Sequence, residues 1–268
     1  MNQVDEIRMT EKLNTEPLDA LKTNALPRVC VLIANYNYAR FIAEALQSIM
    51  EQSYPLLDVI VVDDGSSDDS VAVIERCLAR FGGERRAAFY RQPVNRGKLA
   101  ALNSVMYEIT TPYMLTLDAD DQLEPLCIER CLQVLIEARS KDPQMAMVYS
   151  DCQLIDEAGD FIDYGLSTAF DADKLKTMSY IPEPALCLSA ACLEVMPFDP
   201  SIRVGTKHHK WLRMVERGWR GLHIAEPLFR YRMHDQNLSS IGRRVLKEIE
   251  SGQIGERILS GYWTATRA

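Results

Sequence analysis

The chain has no long apolar run. Among its 268 residues the longest stretch free of charge is only 11 residues, 29–39. A membrane-crossing helix needs about 20 consecutive apolar residues, so none is expected. The first 28 residues carry Asp5, Glu6, Glu11, Glu16 and Asp19 and no apolar core, which argues against a secretory leader. Basic charge is also scarce: 30 Lys+Arg face 38 Asp+Glu, a net charge of −8. A general nucleic-acid binder would show a basic face, so that class is set aside. The seven cysteines form no CxxC pair, and Cys127 and Cys131 have no second pair at zinc-site spacing. They read as small buried hydrophobes in a reducing compartment. Neither a GxGxxG loop nor a GxxxxGK[ST] loop occurs, which removes the main signatures of dinucleotide dehydrogenases and P-loop NTPases. No internal repeat and no low-complexity segment is found.

What is present is globular: 47% hydrophobic and 25% charged residues, enough for one sizeable core. Short apolar, β-branched runs at 28–34, 58–62, 87–91, 113–117 and 145–149 read as strands. Between them lie helical patterns near 41–49, 68–78, 99–106 and 124–139. This βαβαβαβαβ order predicts a parallel sheet with right-handed crossovers and helices on both faces. After residue 151 the alternation breaks. A hairpin is expected around 157–160, with short helices at 171–178 and 210–218, strands at 221–225 and 229–233, and a terminal helix at 241–259.

In such a sheet the ligand site lies beyond the carboxyl ends of the strands. Three strands end in polar clusters that would converge there. Asn35-Tyr36-Asn37 follows the first and Asp63-Asp64-Gly65-Ser66-Ser67 the second. Adjacent carboxylates repel, so Asp63 and Asp64 are expected to accept hydrogen bonds from a ligand; a turn with a helix cap is the plainer alternative. Asp118-Ala119-Asp120-Asp121 gathers three carboxylates within four residues, which calls for a cation or many donors. An EF-hand loop fails, because its sixth position holds Leu123 instead of Gly. Asn95-Arg96-Gly97-Lys98 opens a helix with two cations, a setting that suits a phosphate.

In order and spacing, Val31-Leu-Ile-Ala-Asn-Tyr-Asn37, Val61-Val-Asp-Asp-Gly-Ser-Ser67, Asn95-Arg-Gly97, Leu117-Asp-Ala-Asp-Asp121 and Tyr231-Arg-Met-His234 resemble the family 2 glycosyltransferases. The resemblance implies an α/β fold of GT-A type, a mostly parallel Rossmann-like sheet flanked by helices, with a C-terminal acceptor-side region. It implies transfer of a sugar from a nucleotide-diphosphate donor, usually with inversion, using Mg²⁺ or Mn²⁺. Asn35, Tyr36 and Asp64 match positions that hold base and ribose, with Asp63 in support. Arg96 and Lys98 match phosphate contacts, and Asp118 a ribose contact. Asp120 and Asp121 match metal ligands, and His234 the late His that reaches metal or diphosphate. A polar extension at 1–27, a GT-A domain at 28–240 (donor half 28–122, acceptor half 123–240) and a helical tail at 241–268 follow.

One departure stands out. The family places an acidic pair, whose Asp deprotonates the acceptor, before a Trp-Leu-Arg helix. Here Trp211-Leu212-Arg213 is preceded by Gly205-Thr206-Lys207-His208-His209-Lys210, and Thr206 and Lys207 take the acidic positions. A protonated lysine is a poor base. His208 or His209 could serve instead, with Asp121 as a further catalytic group. Alternatively the acceptor is a thiol or is activated by Asp199, or the module is degenerate and binds nucleotide sugar or a protein partner without transfer. The acceptor, whether saccharide, lipid or protein, has no motif; Tyr149, Asp151, Asp156, Tyr164, Pro182 and Glu183 are candidates to face it. A cytoplasmic location is expected, with Arg243, Arg244 and Lys247 offering weak affinity for the inner face of a membrane.

Overall fold

A computed structural model describes residues 26–202, 205–235 and 237. Residues 1–25 of the extension expected at 1–27, and the tail expected at 241–268, lie outside the described residues. Four strands build the first half: β1 (Val29–Asn35), β2 (Leu57–Asp63), β3 (Arg86–Arg91) and β4 (Tyr113–Asp118). They pair in parallel in the order β3-β2-β1-β4. The connections carry α1 (Ile42–Met50), α2 (Ser70–Leu78) and α3 (Lys98–Val105). β1 and β2 are apolar on both faces because helices cover both, as the continuous apolar runs predict. On α1, Ile42, Ala45, Leu46 and Ile49 form one buried stripe against the sheet. Burying each large aliphatic side chain contributes roughly 1.5–3 kcal/mol. β3 is the edge strand and is mostly exposed or half-buried. All seven cysteines are buried and free.

The second half adds antiparallel strands to this parallel frame. The neighbour of β4 is not the 145–149 strand but β8 (Ala185–Leu188), antiparallel to β4 and to β6 (Met145–Ile155). Four residues are too few to display a period, and the sequence gives no sign of this strand. β9 (Arg220–Arg232) runs parallel to β6 as one 13-residue strand where two were expected. Its register shifts opposite Asp151, around Pro227, absorb the break that the sequence suggested. β5 (Gln122–Leu123) pairs with the far side of β9, and β7 (Phe161–Gly165) closes the expected hairpin on β6. Helices α4 (Cys127–Lys141), α5 (Ala172–Thr177), α6 (Ser189–Glu194) and α7 (Thr206–Glu216) complete the described chain. α5 starts where expected because the Asp171 carboxylate accepts from the N–H groups of Asp173 and Lys174.

Candidate functional site

The carboxyl ends of β1, β2 and β4 form one edge, and their polar clusters meet there. Asn35 is buried and donates from Nδ2 to Asp63 Oδ1 at 2.9 Å and to Ser66 Oγ at 3.2 Å. Asp63 also accepts from Ser66 N at 2.9 Å. Asp64 accepts from Arg96 N at 2.9 Å and Gly97 N at 2.7 Å, at the start of α3. The two adjacent carboxylates are therefore stabilised by the protein's own donors, which corrects the inference that their repulsion requires a ligand. Gly65 makes this possible: at φ 73° it lets the 93–97 loop close on β2, and a Cβ there would lie 2.7 Å from Val94 C. Tyr36 is 43% exposed at the mouth of this loop, and the Arg96 side chain is also exposed.

β4 delivers the acidic turn. Asp121 N donates to Asp118 O at 3.1 Å, which folds the three carboxylates together. Asp118, Asp120 and Asp121 each offer an oxygen within 4.8 Å of the others. Their surroundings differ. Asp118 takes the Lys98 ammonium. Asp120 accepts from His234 Nε2 at 2.9 Å and from Asn237 Nδ2 at 3.4 Å. Asp121 Oδ1 accepts from Arg232 N at 2.9 Å, while its buried Oδ2 has no hydrogen-bond partner among the described residues. Burial, then the charges of Asp120 and Asp118, push the Asp121 carboxyl well above the usual range. A buried, orphaned oxygen in a hard three-carboxylate set fits a divalent cation. His234 is placed behind Asp120, against the rings of Phe41 and Tyr38, and stands outside the carboxylate set. From there it orients the Asp120 carboxylate.

Residues 30–153 match the family model described as glycosyl transferase family 2. Over those residues the chain carries a family 2 glycosyltransferase domain. It is 27% identical over 225 residues to chondroitin synthase of Escherichia coli, covering 84% of this chain and 32% of that protein. It is 26% identical over 224 residues to hyaluronan synthase of Pasteurella multocida, covering 83% of this chain and 22% of that protein. The chain thus spans a third or less of the length of these curated relatives. A mannosyltransferase from Pyrobaculum calidifontis, solved in complex with GDP-Man and Mn²⁺, superposes with a TM-score of 0.60 at 20% identity, covering 88% of this chain and 67% of that one. The fold is of GT-A type.

β8 completes the site from the other side. Met114 pairs with Cys187 and Tyr113 with Leu188. Continued in step, that register sets Glu183 opposite Asp118. Glu183 is buried and accepts from Lys98 at 2.8 Å and from Lys210. Burial alone would raise its carboxyl, but Lys210 and Lys98 together hold it at about 2. Burial would likewise lower the Lys98 ammonium, yet Asp118 and Glu183 push it up. Lys207 is buried on α7, and burial draws its ammonium down to about 8 against the pull of Asp118 and Glu183. Arg232 is fully buried; it donates to Asp120 O at 3.0 Å and Glu157 O at 3.0 Å and pairs with Glu44 at 2.5 Å.

The alternatives for the missing acid fare differently. His208 turns away: its Nε2 donates to Leu175 O at 2.7 Å, and burial lowers its ring. His209 accepts from Asp199 N at 3.2 Å, and burial and then Arg213 lower it. The Asp199 carboxylate caps its own turn through Ser201 N and Oγ. None of the three is brought to the acidic turn. Of the acceptor candidates, Tyr149 donates to Thr168 O, Asp151 accepts from Ser167 N and contacts His223, and Asp156 caps the hairpin. Tyr164 is exposed beside Phe161. The sequence missed the roles of Glu183, Lys210 and Arg232. Glu183 was marked only as a residue to face the acceptor, and Arg232 only by its place two residues before His234 in a motif already marked.

Proposed function

We propose that this chain transfers a sugar from a nucleotide-diphosphate donor to an acceptor, with inversion and with a divalent metal. The observation that carries the reading is the acidic turn with its orphaned Asp121 oxygen, on the same sheet edge as the Asn35–Asp64 loop. Asn35 and Tyr36 would line the nucleoside, with Asp63 and Asp64 stiffening the loop beneath it. Arg96 and Lys98 stand where phosphates would lie. Asp118, Asp120 and Asp121 would hold Mg²⁺ or Mn²⁺, oriented by His234 and Arg232. When bound, the metal supplies Lewis-acid stabilisation of the leaving diphosphate. The likeness to a mannosyltransferase solved with GDP-Man and Mn²⁺ supports a nucleotide sugar and a metal of this kind. The relatives named for chondroitin and hyaluronan synthesis support a saccharide acceptor. We place the domain at 28–240, with the donor half ending at 122, and its working location in the cytoplasm. Among the described residues no helix is long and apolar enough to cross a membrane.

The test is release of free nucleoside diphosphate from a panel of donors, with Mn²⁺, with Mg²⁺ and with chelator. Metal-dependent release supports the reading. One observation favours a second reading: Lys207 occupies the acidic position, and neither His208, His209 nor Asp199 reaches the site. A degenerate module would bind donor and metal tightly and release nothing with any donor or acceptor.

A further inference from the structure

The first turn of α7 places a lysine where the family places its acid, one helical turn before Lys210. Lys207 and Lys210 are three residues apart and share a helix face. Lys210 bonds Glu183, Glu183 bonds Lys98, and Lys98 bonds Asp118. Lys207 is only 7% exposed and lies on that same layer, attracted by Asp118, Glu183 and Asp121 and repelled by Lys98. Two of its attracting groups belong to the carboxylate set that would take the metal.

We propose that Lys207 is a built-in counter-cation of the Asp118–Asp121 turn, so that the free chain takes up a divalent ion weakly and captures it together with the donor's diphosphate. The physical reason is direct. A buried positive charge on the layer beside the turn, at an effective dielectric of about 20, lowers affinity for a divalent ion by roughly tenfold or more. A diphosphate brings negative charge that offsets Lys207 and restores the attraction. An acid at this position would do the reverse and let the bare turn hold its metal. The inference rests on the metal reading of the acidic turn given above.

Calorimetric titration of Mn²⁺ into the full chain tests it, without nucleotide and then with saturating UDP or GDP. Lys207→Met and Lys207→Gln are expected to bind bare Mn²⁺ at least about tenfold more tightly than the unaltered chain. Lys207→Arg, which keeps the charge, should leave the affinity nearly unchanged. In the unaltered chain, UDP or GDP should tighten Mn²⁺ binding, and the gain should shrink in Lys207→Met. Equal or weaker bare-metal binding in the two neutral variants overturns the inference and leaves the metal reading standing. If the variants fail to fold, the unaltered chain still decides: Mn²⁺ affinity indifferent to both nucleotides overturns it. No Mn²⁺ binding under any condition overturns the metal reading as well.

Discussion

Replacing Glu183 by Gln is the sharpest probe of how this site is held together. The carboxylate is buried between two ammoniums, Lys98 at 2.8 Å and Lys210. Lys98 keeps a second partner in Asp118, whereas the only carboxylate bonded to Lys210 among the described residues is Glu183. Breaking a buried pair by neutralising one member costs about 3–5 kcal/mol, because the remaining charge stays desolvated. The variant is therefore expected to lose about that much stability, most of it through Lys210. Adding Lys210→Met removes the stranded cation and should restore about half or more of the loss. Guanidinium unfolding followed by tryptophan fluorescence reads both, since Lys210 Nζ sits 4.0 Å from the Trp211 ring. The acid limb gives an independent check. Glu183 is held at about 2, below its ordinary 4.5, so its contribution is present above the ordinary value and is lost as pH falls through about 2. In Glu183→Gln that part of the acid slope should vanish. A variant within about 0.5 kcal/mol of the unaltered chain, with the same acid limb, would refute the clamp and the energetics built on it.

Other perturbations separate binding from scaffold. The Asp121 carboxyl is pushed up by burial and by Asp120 and Asp118, so the metal-free fold favours its protonated form and loses stability as pH rises from the ordinary carboxylate range through the folded value. Asp121→Asn should then raise metal-free stability at neutral pH while cutting nucleoside diphosphate release at least about a hundredfold; lower thermal stability in the variant would contradict this. Gly65→Ala forces a Cβ to within 2.7 Å of Val94 C at φ 73°. It should cost about 1–3 kcal/mol and raise the donor KM more than it lowers kcat. Arg232→Met leaves three backbone carbonyls without their guanidinium donor, while the half-exposed Glu44 keeps Gln122; urea denaturation should register a loss of about 1–3 kcal/mol. Tyr36→Ala should weaken donor binding by calorimetry and leave the melting temperature within about 2 °C, because the ring is 43% exposed.

The donor side of the fold was legible because its information is local. β1, β2 and β4 are apolar runs ending in polar clusters, and each cluster sits within a few residues of the strand that aims it. Asp118, Asp120 and Asp121 could be read as a set from four consecutive residues. The acceptor side hides its information in long-range pairing. Glu183 meets Asp118 only because β8 is inserted antiparallel beside β4, and no period in Ala185–Leu188 announces that strand. The choice of His208 and His209 followed from imidazole chemistry, but helix geometry decides otherwise. At about 100° per residue, the face that carries Lys207 and Lys210 to the site turns His208 towards α5 and His209 towards the 199–201 turn. The Asp63–Asp64 pair taught a similar lesson: Asn35 and Ser66 donate to one carboxylate, and the N–H groups of Arg96 and Gly97, just before α3, to the other.

The inserted strand also sets an order of assembly. β4 and β6 are made before β8, yet in the finished sheet β8 lies between them and supplies hydrogen bonds to both. A chain emerging from synthesis and ending near residue 184 would therefore hold two open strand edges facing a gap one strand wide. Open edges invite pairing with other chains, and β4 closing directly on β6 would lock β8 out. β1 to β4 can pair before β8 exists, but the charge layer around Glu183 forms only once β8 and then α7, which carries Lys210, are in place. Destabilising that slot should reveal itself first as aggregation of the newly made chain, before any loss of donor affinity in the molecules that fold.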